Sequence, residues 1–321
     1  MTGDFPPRPP LRATANGINI AYHDYGAGPA VFLLHGFPGL SFDWCRQVPA
    51  LVAAGWRVVV PDLRGSGETG PQGDLSDYAM RNLCRDVIGL MDVLGLPRAA
   101  MVGHDFGGVL AWALGRDHTD RVAAVASLNT PYTRRTALDL AETMRRHKGE
   151  SNYMVVFQSP GVGEAILESD MERTFRGTFR KPAMTLADLR ADARLNALPV
   201  TVFGREPALM GDPIVDEAEL AVYAAAFRRT GFAGAINWYR NFHRNWLDTE
   251  NTADVVPVPS LMVVADNDIF LPPETTRGME RHVPDLEYAF IENCGHWTQR
   301  EQPGRVNAIL VEWLNRRARL A

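Results

Sequence analysis

Ala99-Ala-Met-Val102-Gly103-His104-Asp105-Phe106-Gly107-Gly108 is an apolar run that ends in glycines around one carboxylate, with helix-like sequence over 106–116 beyond it. A strand that turns straight into a helix lifts its apex residue above the sheet. The neighbours must be small because the turn brings strand and helix together. Gly103, Gly107 and Gly108 meet that need, and Asp105 stands at the apex. An aspartate that merely N-caps the following helix is the plainer account of Asp105. The preceding strand, the glycines and the partners found further along favour the elbow.

Working outward, Val31–Leu34, Arg57–Val60, Val122–Leu128, Leu261–Val264 and Glu287–Ile291 are further compact apolar runs closed by Gly, Pro or Asp. Such runs read as strands buried on both faces. Helical spacing over 76–95, 106–116 and 304–318 alternates with them. Alternating β and α units imply a mainly parallel sheet covered by helices. Ile18–Tyr25 is expected as an antiparallel edge strand. The pattern breaks between about 131 and 256, where helix-like stretches at 139–147, 163–176 and 216–229 dominate, and resumes at Ser260. The expected organisation is a core of 1–130 and 257–321 interrupted by a helical lid of 131–256.

Composition excludes several classes. The chain has 321 residues, 46% of them apolar, 22% charged, and a net charge of −5. That suits a globular core and argues against disorder or a basic nucleic-acid face. Three cysteines, Cys45, Cys84 and Cys294, have no CxxC spacing, so neither a disulfide framework nor a zinc ribbon is expected. The start, Met1 to Pro10, has no apolar core for a signal peptide, and no run is long enough to span a membrane. A soluble, cytoplasmic protein is expected. Gly65-Ser-Gly67-Glu-Thr-Gly70 matches GxGxxG after a strand, but Pro71 and Gly73 follow where a helix should open. It reads as a turn rather than a dinucleotide site. No cofactor and no metal are expected.

A carboxylate at the apex changes the chemistry. Attack on a carbonyl would give an anhydride, so Asp105 suits a saturated carbon, from which it displaces a leaving group and forms an alkyl ester. Water can then hydrolyse that ester at the enzyme's own carboxyl carbon. Such water needs a base. His296, in Asn293-Cys-Gly-His296-Trp297, follows the last strand-like run. The order nucleophile, acid, histidine goes with an elbow of this kind. Asp268 is the first choice of carboxylate to orient the imidazole and Asp266 the second, both in Ala265-Asp266-Asn267-Asp268 after the Leu261 strand. His35-Gly36-Phe37-Pro38-Gly39 follows the Val31 strand, so the backbone N–H groups of Phe37 and Phe106 are the expected oxyanion donors.

With those motifs in place, the chain resembles the soluble-type epoxide hydrolases of the α/β-hydrolase fold, from about Ile18 to Leu314. HGFPG (35–39), GHDFGG (103–108) and CGHWTQ (294–299) carry the core resemblance, and the 28-residue spacing of Asp268 and His296 agrees with it. The lid matches through Tyr153, at the head of Tyr153-Met-Val-Val-Phe157-Gln-Ser-Pro-Gly161, and through Tyr239 in Asn237-Trp-Tyr239-Arg-Asn241. The resemblance implies an α/β-hydrolase fold, a mostly parallel sheet flanked by helices with an inserted helical lid. It also implies that Tyr153 and Tyr239 hydrogen-bond and protonate an epoxide oxygen while Asp105 attacks carbon. The expected partners are a small apolar epoxide and water, with Phe157 and Trp297 as pocket walls, and the product is a vicinal diol. Phe106 departs from the family's frequent Trp at that position, which alters the pocket and leaves the backbone donor. It also argues against a haloalkane dehalogenase, which needs an indole N–H there for the halide. A fluoroacetate dehalogenase would need arginine beside the nucleophile. A serine esterase lacks an elbow around Ser66 or Ser127, and a non-catalytic receptor has no use for the full set of groups.

Overall fold

The computed structural model describes residues 9–319. The proline-rich start considered for targeting therefore falls mostly outside the described residues. Eight strands form one sheet: β1 (Leu11–Ala15), β2 (Ile18–Tyr25), β3 (Ala30–Leu34), β4 (Arg57–Pro61), β5 (Ala99–His104), β6 (Val122–Leu128), and, after a long excursion, β9 (Ser260–Ala265) and β10 (Leu286–Ile291). Their order is β1-β2-β4-β3-β5-β6-β9-β10. The pairs β1·β2 and β2·β4 are antiparallel, and every pair from β4·β3 to β9·β10 is parallel. Ile18–Tyr25 is antiparallel as expected, but it is not the edge. Asn16 and Gly17, both at positive φ, turn the chain back so that β1 lies outside it, and Asn-Gly is the strongest short hairpin signal.

Strand residues alternate between two buried faces, as a period of two requires. Val31 and Leu33 of β3 pack with Trp44, Leu51, Trp56 and Trp313 on one side; Phe32 and Leu34 pack with Leu83, Leu110 and Met101 on the other. Helices α1 (Val48–Ala53) and α14 (Pro303–Arg317) cover the first face, α2 (Met80–Val93) and α3 (Phe106–Asp117) the second, and the short α13 (Thr298–Glu301) precedes α14. Each large side chain buried this way contributes about 1.5–3 kcal/mol before chain entropy is charged against it.

Between β6 and β9 lie α4 (Leu140–Lys148), α5 (Tyr153–Val156), α6 (Val162–Glu168), α7 (Met171–Thr178), a two-stranded ribbon of β7 (Arg180–Pro182) and β8 (Met210–Pro213), α8 (Leu186–Ala191) and α9 (Ala193–Asn196) within it, then α10 (Glu217–Thr230), α11 (Ala233–Arg240) and α12 (Phe242–Asp248). The single helix expected over 163–176 is two, because the Asp170 side chain accepts the Arg173 N–H and starts α7 afresh. The lid has its own aromatic centre in Phe175, Phe179, Tyr223, Phe227 and Phe232. Polar bonds tie it to the core: Tyr223 donates to Asp43 Oδ1 at 2.8 Å, and Trp238 Nε1 to the Arg64 carbonyl at 2.9 Å. Arg64 is held in turn by a buried bidentate pair with Asp86. The GxGxxG segment closes on itself through Gly65 N–H and the Gly70 carbonyl and opens no α-helix. All three cysteines are buried free thiols. Among the described residues, no helix is long and apolar enough to cross a membrane.

Candidate active site

The C-terminal ends of the parallel strands converge under the lid, where open α/β sheets hold their ligands. Asp105 sits at the β5–α3 turn with φ +53° and ψ −123°. A residue other than glycine held there costs on the order of 1–3 kcal/mol. The turn is closed by contacts that admit no side chain: a Cβ on Gly107 would lie 2.0 Å from the Leu34 carbonyl oxygen, and one on Gly36 2.4 Å from Asp105 Oδ1. The Asp105 side chain makes no helix-capping bond; its carboxylate faces the lid.

The two carboxylate oxygens have different neighbours. Oδ1 accepts the Phe37 N–H at 2.7 Å, and the Phe106 backbone N–H is near enough to favour the charged carboxylate. Oδ2 faces His296 Nε2 at 3.8 Å, beyond direct hydrogen-bond reach. Burial pushes the Asp105 carboxyl above its ordinary range, with the His296 charge and the two N–H bonds opposing it.

His296 Nδ1 lies 2.9 Å from Asp268 Oδ2. Burial alone would lower the imidazole, but the charge and hydrogen bond of Asp268, with Asp105 beyond, carry it above its ordinary value. Asp268 is fully buried, which would raise it; the His296 charge and bond, with the N–H groups of Phe270 and Leu271, bring it below its usual range instead. The second choice, Asp266, accepts the N–H groups of Asn293 and Cys294 and so braces the loop that carries His296. His104 points away from the cavity and bonds the His296 carbonyl at 2.7 Å. Burial and the nearby His296 charge hold it down at about 3.

One member of this cluster was not anticipated from sequence. Asn129, just after β6 with φ +66°, donates from Nδ2 to Asp268 Oδ2 at 2.8 Å and takes the Thr298 hydroxyl on Oδ1 at 2.7 Å. Thr298 thereby fixes which way the amide faces. The available signal was position: Asn129 ends a core strand at the edge of the sheet where Asp105 and Asp268 also lie.

Tyr153 and Tyr239 come from α5 and α11 and meet edge-on, ring centroids 5.8 Å apart, over Asp105 in the same cavity. Burial, with the Asp105 charge adding to it, raises both phenols well above their ordinary value, so both stay protonated. The cavity is small, about 40 Å³, and mostly apolar. Trp297 lines it, with its indole N–H given to the Thr178 carbonyl at 2.8 Å. The expectation for Phe157 is corrected. One turn after Tyr153, it is fully buried behind the two tyrosines and against Phe37, and it does not line the cavity. Phe203 and Phe270 are walls instead. The Phe106 ring packs under Tyr239 at 4.7 Å and against Trp238 at 5.3 Å, so it supports the lid rather than lining the cavity. Arg180, from the lid ribbon, also lines it. Among the described residues, no group of acidic, histidine or cysteine side chains has the arrangement of a metal site.

Comparison with known proteins identifies the family. The α/β hydrolase fold family matches residues 29–303. The chain is 39% identical over 311 residues to epoxide hydrolase A of Mycobacterium tuberculosis, covering 93% of this chain and 95% of that protein. It is 38% identical over 304 residues to bifunctional epoxide hydrolase 2 of Sus scrofa, covering 94% of this chain and 54% of that protein, so it spans about half the length of this relative. The crystal structure of epoxide hydrolase A from Mycobacterium thermoresistibile superposes with a TM-score of 0.86 at 34% identity, over 96% of this chain and 98% of that one. Potato epoxide hydrolase I gives 0.85 at 27%, over 96% and 99%.

Proposed function

We propose, for a chain that belongs to the α/β-hydrolase fold family and to its epoxide hydrolases, that it converts an epoxide to a vicinal diol through a covalent ester on Asp105. The observation that carries this reading is the pairing of a carboxylate apex with two protonated tyrosines in one cavity. A nucleophile that attacks carbon thus faces two acids that can receive an alkoxide.

Asp105 Oδ2, the oxygen on the His296 side, attacks an epoxide carbon. The C–O bond breaks, and Tyr153 and Tyr239 hydrogen-bond the departing oxygen and supply its proton. Oδ1 becomes the ester carbonyl oxygen, already bonded by Phe37 N–H. His296 Nε2 takes a proton from water, which attacks the ester carbon; the 3.8 Å separation from Oδ2 keeps the base beside that carbon. Asp268 holds the imidazole and balances its charge. The Phe37 and Phe106 N–H groups stabilise the tetrahedral anion, each such donor being worth about 3 kcal/mol. Collapse expels the second diol oxygen, which takes the proton of the new Asp105 carboxyl and so restores the carboxylate, while the proton on His296 returns through the diol or solvent to the tyrosine. No cofactor enters these steps. The three buried thiols suit a reducing, cytoplasmic setting.

Halide displacement finds less support. The indole N–H groups of Trp238 and Trp297 are given to the Arg64 and Thr178 carbonyls, and Phe106 has none. The test is intact-protein mass spectrometry of His296→Gln with styrene oxide, and with a 1-chloroalkane in parallel. A trapped adduct equal to the whole epoxide, mapped to Asp105, is expected. An adduct from the chloroalkane alone would overturn the reading.

A further inference from the structure

Resting on that reading, we propose that Glu301 is a positioning residue for the base: its carboxylate takes the backbone N–H on either side of His296 and so holds the imidazole toward the ester on Asp105. Oε2 accepts the Gly295 N–H at 2.9 Å, and Oε1 accepts the Trp297 N–H at 3.1 Å. Glu301 is the last residue of α13, and its own N–H donates to the Trp297 carbonyl at 2.8 Å. Earlier in the same loop, Asp266 takes the N–H groups of Asn293 and Cys294. Asp266 thus sets how the loop leaves the sheet, and Glu301 fixes the residues that flank the ring. A Cβ on Gly295 would lie 2.5 Å from Pro182 Cδ and 3.0 Å from Glu301 Oε1, so the lid ribbon packs directly on the bracketed loop.

The bracket also carries charge. Both carboxylate oxygens face N–H donors, so a proton on either would meet another hydrogen, and the geometry suits the ionised form. Burial pushes the Glu301 carboxyl up and the Asp268 charge adds to that, while the two N–H bonds and the His296 charge pull it down. Among the described residues, no arginine or lysine forms an ion pair with Glu301; the cation that favours its charge is His296. The titratable groups that face His296 are His104 from β5, Asp105 at the elbow, Asp268 after β9, Cys294 in its own loop and Glu301 from α13. His104, held at about 3, and the Cys294 thiol, pushed up to about 12 by burial, are both neutral near pH 7. The charges on the imidazole are therefore those of Asp268, Asp105 and Glu301, and all three raise it. Forming the ester removes the charge of Asp105. Asp268 and Glu301 then remain to balance the imidazolium that arises when water gives up its proton. The contribution of Glu301 thus falls on ester hydrolysis and not on ester formation, which does not use His296.

The test compares Glu301→Gln, which keeps the shape and loses the charge, with Glu301→Asp, which keeps the charge on a shorter arm. NMR titration of His296 without substrate should give a lower midpoint in Glu301→Gln than in the native protein, and one closer to native in Glu301→Asp. With styrene oxide, rapid quenching and intact-mass measurement separate formation of the ester from its hydrolysis. Hydrolysis should slow about tenfold in Glu301→Gln, the scale of one hydrogen bond to a charged group. Glu301→Asp should recover part of that loss, and formation should change much less in both. An unmoved His296 midpoint in Glu301→Gln, or formation and hydrolysis slowed alike, overturns the proposal and leaves Glu301 a brace for the fold. If the glutamine variant does not fold, the native protein carries the test. The carbon NMR signal of the Glu301 carboxyl should then show a step at the pH where His296 titrates, and its absence overturns the coupling. If the native protein forms no ester with styrene oxide or a wider set of epoxides, the epoxide reading fails, while the titrations, taken without substrate, still judge Glu301.

Discussion

Replacing Asn129 by glycine tests whether the buried support of Asp268 serves the hydrolytic half of the reaction. Glycine accepts the +66° φ of this position without strain, so the change removes the amide and little else. Asp268 Oδ2 then loses a 2.8 Å donor and keeps His296. The Thr298 hydroxyl loses its acceptor on Asn129 and retains the Gly295 carbonyl at 3.0 Å. A hydrogen bond to a charged group is worth about 1.5–3 kcal/mol. Expressed in the transition state in which His296 becomes positive, that is about ten- to a hundredfold in rate; a water filling the space would bring the loss to the lower end. Ester formation depends on Asp105 and the tyrosines and should fall much less. The variant should therefore accumulate ester. Rapid quenching followed by intact-mass measurement gives both rates in one experiment. Ester hydrolysis at the native rate, or an equal slowing of both steps, would refute the reasoning.

Other consequences follow from the same geometry. The charge of Asp105 is one of the causes that raise His296, and the ester removes it. The acid limb of ester hydrolysis should thus lie below the pH at which His296 titrates in the free protein; single-turnover rates against an NMR titration check this, and coincident midpoints would contradict it. Burial pushes the Asp43 carboxyl up to about 7, so between about 4 and 7 the folded protein holds more protons than the unfolded chain and stability falls as pH rises. Asp43→Asn, which still accepts the Tyr223 hydroxyl, should raise the melting temperature more at pH 8 than at pH 5, and an equal change at both would show that the charge carries no cost. Gly107→Ala puts a Cβ 2.0 Å from the Leu34 carbonyl oxygen; it should destabilise by well over the typical ~1 kcal/mol of a point mutation, and a native denaturation midpoint would count against the tight elbow.

What could be read from the chain was what short-range constraint dictates. The β5 run, its glycines and Asp105 were legible because a strand-to-helix turn this tight admits few residues. The core strands were legible because burial on both faces requires unbroken apolar runs. The Asn16-Gly17 hairpin carried its own signal, and attention to it would have placed β1 outside β2. Sequence ranked Asp268 above Asp266, with the spacing to His296 in its favour, but both follow the same strand, and only the loop beyond decides that one braces backbone while the other meets the imidazole. Phe157 and Phe203 posed the same difficulty in the lid, where short helices face in directions set by distant partners. Arg180 and Asn129 gave little local sign of their place, since what brings them to the site is the ribbon across the lid and the adjacency of β6 to β9.

The elbow also explains why one carboxylate can serve both halves of the proposed reaction. A serine has one oxygen, which must be nucleophile first and ester oxygen afterwards. Asp105 has two, and the fold gives them different tasks before any substrate arrives. Phe37 N–H takes Oδ1 at 2.7 Å, and Gly36, which has no Cβ to obstruct it, lets the loop come that close. Oδ2 is left toward His296 and the lid. Bonding Oδ1 makes the carboxylate somewhat less basic, which weakens it as a nucleophile. The same bonds point at the oxygen that turns anionic when water attacks the ester, where they strengthen as charge develops. Burial, which raises Asp105, works in the other direction and restores part of its nucleophilic strength.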